Sequence, residues 1–249
     1  MFFIKSILAN IHYYRKSALS LYLFNCFFFG IIGLLLGLIS LGQHNLSQLK
    51  TQLANFSSEA RYSANQLLTK LLHANLDLIK TYQLIYWSLL LIGVCCALFF
   101  SYYLLKWLKQ DMLTFMSANW STVKISSYYF MTALLVIALA LLTIIILGAL
   151  FNDQYWQFLE AVNQHFLQRP LQTVQRQPNA FNPLFKNHLT DFSSDSLINP
   201  VLHDSAKQTL SNKVLRQVWQ PGLALLIPVI GVIIIMIHHT KQKQHRDVI

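Results

Sequence analysis

Acid–base, thiol or metal chemistry in this sequence would have to come from nine histidines, three cysteines and nine carboxylates. Their spacing offers none. Cys95 and Cys96 are neighbours, so on a helix they point to different faces, and neither they nor Cys26 make a C-x-x-C pair. His238, His239 and His245 crowd into a basic tail, but no second ligand set accompanies them, and they read as membrane-flanking side chains rather than a metal site. There is no G-x-x-x-x-G-K-[ST] phosphate loop, no H-E-x-x-H and no nucleophile–base pair. The expectation is a chain that is not an enzyme and holds no cofactor, so that any driven work takes its energy from a partner.

The remaining patterned group is "KWLKQDMLTFMSANWSTVKISS", Lys106–Ser127. Leu108, Met112 and Phe115 recur at i, i+4 and i+7, the spacing of one helical face. Lys106, Lys109, Asp111 and Lys124 are interleaved with Trp107, Met116 and Trp120. Asn119 is suited to end a helix, because after glycine it best tolerates the left-handed conformation. Ser121 can then cap the next helix. A short amphipathic helix, a sharp turn and a new helix are therefore expected, and such a face fits either a protein groove or lipid headgroups.

The elements that hold this segment are apolar. The chain is 55% hydrophobic and only 11% charged, against roughly 25% charged in soluble domains. Four windows lack Asp, Glu, Lys and Arg altogether: Ser17–Leu49, Thr81–Leu105, Ile125–Asn152 and Gln217–Thr240. Their apolar cores, Leu19–Leu41, Leu84–Leu105, Tyr128–Phe151 and Val218–Ile237, each reach about 20 residues, enough to cross a ~30 Å hydrocarbon layer as a helix. The first is too long for a signal-peptide core, and Ser40-Leu41-Gly42 is a poor cleavage site, so it is expected to stay as an anchor. No Asp, Glu, Lys, Arg or His lies at the centre of a span, which argues against an ion-coupled carrier.

Basic residues gather on the cytoplasmic side of membrane proteins. Segments 1–17, 106–126 and 239–249 hold nine Lys/Arg and two acids. The much longer 42–83 and 152–217 hold ten Lys/Arg and seven acids. Both termini are thus expected inside. The net charge of +10 is in part this topological signal, and no further basic cluster points to nucleic acid.

The expected organisation is all-α: an amphipathic cytoplasmic interfacial helix over 1–16, spans over 17–41, 84–105, 128–151 and 218–237, a cytoplasmic segment over 106–127 and a basic tail over 238–249. Residues 42–83 carry a heptad-like seam, Leu46, Leu49, Leu53, Phe56, Ala60, Ser63 and Leu67, with a turn signal at "NFSSEARYS", and predict an extracytoplasmic helical hairpin or stalk. Ser63 and Gln66 offer a capping box. Residues 152–217 predict a small outer cap, helical around Tyr155, Leu159, Val162 and Phe166 and around Leu210, Val214 and Val218, and irregular through Pro170, Pro178, Pro183 and Pro200. Pro228 is expected to kink the fourth span. In the first span Gly33 and Gly37 form a GxxxG pair with Gly30 nearby, a candidate contact between two protomers, and Asn25 is expected to hydrogen-bond a neighbouring helix.

The segment after the second span resembles that of the FtsX-like (MacB-like) permeases of ABC transporters. In that family it runs basic, acidic, apolar, a further helical turn, then small-apolar-glycine, small or aromatic, serine, and an isoleucine leading into the third span. Here Lys109, Asp111, Met112, Phe115, Ser117, Ala118, Asn119, Trp120, Ser121 and Ile125 stand in that register. The four-span N-in plan, Arg15-Lys16 and the tail ending in "RDVI" are similar too. Asn119 stands where the family has glycine and Met116 where it has a basic residue, the first outer region lacks a globular domain, and the second is long. The resemblance implies a permease subunit in a bacterial plasma membrane, paired with a second permease protomer. A cytoplasmic ABC ATPase would bind ATP and Mg, and peptide or lipophilic substrate would be exported from, or mechanical work done at, the outer face. Leu108, Lys109, Asp111, Met112, Phe115, Met116, Asn119 and Trp120 would form the ATPase-coupling surface. The alternative from the residues alone is a non-transport four-span protein, of immunity or sensor type, that binds through its outer loop.

Overall fold

The computed structural model describes residue 13 and residues 15–55, 65–107, 109–175 and 202–246. Six helices account for nearly all of them: α1 (Arg15–Asn55), α2 (Asn65–Trp107), α3 (Lys109–Ser117), α4 (Thr122–Leu150), α5 (Asn152–Gln175) and α6 (Asp204–Arg246). No strand occurs among the described residues. Most of the interfacial helix expected over 1–16 (residues 1–12 and 14), the turn after Asn55, the Ser63 cap, Leu108 and the proline-rich stretch from Pro178 to Pro200 lie outside them.

α1, α2, α4 and α6 are each long and apolar enough to cross a membrane. Inside such a helix every backbone amide and carbonyl is paired, which is what hydrocarbon requires. Several of their hydroxyls and amides follow the same rule by bonding one turn back. Thr132 Oγ1 donates to Tyr128 O at 2.9 Å, and Thr240 Oγ1 to Met236 O at 2.8 Å. Asn25 does likewise: its Nδ2 donates to Leu21 O at 2.8 Å, so its polarity is met within α1 rather than by a neighbouring helix.

The chain divides into two compact units. The first comprises Met1–Ile32, Ser88–Ala149 and Gln217–Ile249; the second comprises Gly33–Trp87 and Leu150–Arg216. In the first unit the buried side chains of α6, Val229, Ile233 and Ile237, fall on one helical stripe and pack with Met112, Ile125, Tyr128 and Tyr129. Gly93 of α2 meets the ring of Phe28, and Gly222 faces Leu141 and Phe29. α6 continues through both Pro221 and Pro228.

The second unit is built on another cluster: Leu38 and Leu41 of α1, Tyr82 of α2, Trp156 and Leu159 of α5, and Leu202 and Leu210. α1 and α2 approach where Gly42 lies against Ile79. α5 extends to Gln175, past Pro170, where irregular chain was expected; a proline removes a single amide donor, and the other backbone hydrogen bonds carry the helix through.

Candidate functional site

The segment between α2 and α4 is a helix, a turn and a helix start whose backbone is closed at each step. α3 ends in a Schellman arrangement. Trp120 N donates to Phe115 O at 3.1 Å and Asn119 N to Met116 O at 3.0 Å, the six-to-one and five-to-two bonds of that motif. Asn119 occupies the left-handed position, with φ 57°, as its amide side chain allows. Ser121 then caps α4: its Oγ accepts from Lys124 N at 3.3 Å, and its carbonyl from Ile125 N at 3.1 Å.

A Schellman end commonly carries an apolar contact between the residues that flank it. Here these are Phe115 and Trp120, whose rings stack. Tyr128 meets Phe115 edge-on at 5.5 Å and Trp120 at 6.3 Å. Lys124 Nζ sits 4.4 Å from the Trp120 ring centroid, a cation–π contact that covers the outer face of the indole.

The residues expected to couple to a partner divide into three sets. Met112 is 0% exposed, inside the cluster with Ile233 and Ile237. It is therefore a core residue of this chain, and the expectation that it fills a pocket on another protein is corrected: the apolar stripe of α3 is satisfied by the chain itself. Phe115, Met116 and Trp120 are half-buried and packed on the same cluster, and Asp111 is half-buried. Asn119 is exposed, together with Leu113, Thr114, Ser117 and Ala118, which the sequence had not singled out. Leu113 at 38% exposure is the large apolar side chain on that outer face. Its position, one residue off the Leu108–Met112–Phe115 stripe, was the available signal. Lys109 begins α3, and its side chain, like Leu108, is outside the described set.

The glycines expected at a protomer contact are used within the chain. A Cβ on Gly37 would run into Tyr155 Oη and Leu159, so the absent side chain admits α5. Gly33 is buried, and its carbonyl accepts a hydrogen bond from Tyr155 Oη at 2.8 Å. Gly30 lies 3.8 Å, by the same construction, from Ile144. The close helix approach that GxxxG permits is made within the chain at Gly37, against α5, while the space beside Gly33 is open. The apolar window of α1 is 50% buried inside the chain against 11% for that of α2, which makes α2 the span with the most surface left for lipid or another chain.

The second unit holds a polar network as well. Trp156 Nε1 donates to Ser211 Oγ at 2.8 Å and to Asn152 Oδ1 at 3.1 Å, and Ser211 Oγ donates to Asn152 Oδ1 at 2.8 Å. Lys207 bonds Asp204 at 3.1 Å and faces Asp153 at 3.9 Å. Burial pushes the Glu160 carboxyl above its ordinary range, and the nearby Lys207 charge counters part of that. Burial likewise raises the Tyr155 phenol, consistent with a hydroxyl that serves only as a donor to Gly33. Among the described residues no group of three or more His, Cys, Asp or Glu side chains could hold a metal ion. No family model, curated protein or solved structure matches the chain.

Proposed function

We propose that the chain is the permease subunit of an ATP-driven transporter of FtsX-like type, docking a cytoplasmic ATPase on the α3–turn–α4 segment. One observation carries this reading. The segment is internally closed, with Schellman bonds, a serine cap and Met112 locked beneath it, yet it presents Leu113, Ser117, Ala118 and Asn119 outward. A connector needs no such rigidity. A helix lying on headgroups would turn its larger apolar side chains to the lipid, whereas here Met112 is turned into the chain. A fixed, convex, mostly small-residue turn suits a cleft on a partner that must push against it.

In this reading the basic segments face the cytoplasm of a bacterial cell. ATP and Mg belong to the partner, and a second permease protomer completes the assembly. The substrate class is a peptide or lipophilic molecule handled at the outer face, or the output is mechanical work there. The sequence pattern from Lys109 to Ile125 supports the family assignment.

The test is a tagged chain purified from membranes of its source cells and assayed for associated ATP hydrolysis. Ala118→Arg changes the exposed turn without entering the core, so insertion and thermal stability should match the parent while associated hydrolysis falls at least tenfold. Equal hydrolysis in parent and variant would remove the turn from the coupling path. Absence of hydrolysis from the parent complex would remove the transporter reading itself.

A further inference from the structure

Three helices of the second unit each contribute a buried polar atom with no hydrogen-bonding partner among the described residues: Ser40 Oγ of α1, Tyr82 Oη of α2 and Asn163 Oδ1 of α5. The residues are 1%, 4% and 2% exposed. Tyr82 belongs to one apolar cluster, and Gly37, one turn before Ser40, lies against Leu159 of that cluster. Leu41 (next to Ser40), Tyr82 itself and Leu159 (one turn before Asn163) pack together. The Tyr82 ring lies 6.5 Å from that of Phe166, one turn beyond Asn163. His44 and Glu160, each one turn from a member of the trio, also bear a buried unpartnered atom, Nε2 and Oε1.

More than nine in ten buried polar groups in proteins are paired, and a concentration of exceptions calls for a physical reason. The chemistry of the trio narrows what could pair them. Two hydroxyls can donate or accept, and the amide oxygen accepts. None carries a full charge, so nothing here would neutralise a phosphate or carboxylate, and a metal ion would find no anionic ligand in the trio. The cluster that holds Tyr82 is apolar and includes Leu38, Leu41 and Leu159.

We infer that Ser40, Tyr82 and Asn163 form an interior site for an uncharged group that both donates and accepts hydrogen bonds. That group is the amide or hydroxyl of a small ligand with an apolar body, or water in the same place. The inference stands apart from the ATPase reading, since all three residues belong to the second unit and none to the α3 turn.

Thermal unfolding of the detergent-solubilised full chain tests it, because the sign of the effect separates a filled site from orphaned atoms. If the atoms are paired by a bound group, Ser40→Ala and Tyr82→Phe each lower the midpoint by about 2–4 °C, the shift expected per broken hydrogen bond in a chain of this size. The double variant then loses less than the sum, because both act on one bound group. Midpoints that rise or stay unchanged in both single variants would overturn the inference, since removing an orphan relieves its desolvation. Strictly additive losses would overturn it too, as separate packing effects. N-acetyl-leucinamide, an amide with a leucine body, distinguishes the sources. A raised midpoint in the parent but not in the double variant assigns the site to a ligand; no rise, with the losses intact, assigns it to water.

Discussion

The rings of Phe115 and Trp120 stack with centroids 4.8 Å apart and planes 22° from parallel. They are the two residues that flank a Schellman turn, tied to one another by the hydrogen bond from Trp120 N to Phe115 O. Backbone closure and ring stacking are therefore one device, and either half supports the other. Trp120→Ala should lower stability by about 2 kcal/mol through lost burial and stacking. The readout is chemical or thermal unfolding in detergent, and a change within error would show that the backbone bonds suffice alone.

Asn119 provides a sharper test of the same turn. At φ 57°, Asn119→Gly should be neutral or slightly stabilising, since glycine meets no steric penalty there. Asn119→Val should cost about 1–3 kcal/mol, because a β-branched side chain is strained at positive φ. Equal stabilities for the two variants would mean that the turn adopts another conformation in solution.

Gly33 and Gly37 should respond oppositely to alanine. A Cβ at Gly37 meets Tyr155 and Leu159, and overpacking of this kind costs about 1–3 kcal/mol. At Gly33 nothing lies within 4 Å of the added atom, so Gly33→Ala should stabilise by up to about 1 kcal/mol through the helix preference of alanine. Tyr155→Phe should partly rescue Gly37→Ala, since it removes the hydroxyl that clashes. Matching losses at both glycines would mean that the space beside Gly33 is filled in solution.

Glu160 gives the second unit a pH dependence. Its folded carboxyl holds a proton to higher pH than the ordinary 4.5, burial being the dominant cause. Between that value and the folded one the native state binds more protons than the unfolded, so stability falls as pH rises through the window. Glu160→Gln should therefore raise the unfolding midpoint at pH 7, and the gain should disappear below pH ~4. A lower midpoint at neutral pH would show that the attraction of the Lys207 charge for Glu160 outweighs its desolvation.

Orientation is tested with single cysteines at Ser117 and Ser205, both exposed, in a chain freed of Cys26, Cys95 and Cys96. If basic segments face the cytoplasm, an impermeant thiol reagent applied to intact cells labels the cysteine at position 205 and not that at 117. The reverse pattern would invert the topology and with it the side on which an ATPase could dock.

Chemistry that acts within one or two turns was legible from the residues. Charge-free windows of spanning length mark four helices, because each residue's transfer to hydrocarbon is a local property that adds along the segment. The left-handed Asn119 and the Ser121 cap could be read in the same way, since a helix end is satisfied by side chains and backbone within about five residues. Partner choice was not legible. That Met112 and Phe115 share a face follows from helical spacing, but the cover over Met112 comes from Val229, Ile233 and Ile237, far along the chain.

The glycines show the same division. Their spacing announces a close approach between backbones, yet any helix with a matching surface could make it, and Tyr155 and Leu159 of α5 are the surface that does. The bonds from Ser211 to Trp156 and Asn152 reach across 55 and 59 positions of sequence, and no periodicity relates such residues. The sequence alone marked four helices long and apolar enough to cross lipid and showed how the α3 turn closes. The tertiary structure decided which side chains of those helices are covered, because cover depends on which helices lie side by side. That placed Met112 and Gly37 in the packing of this chain.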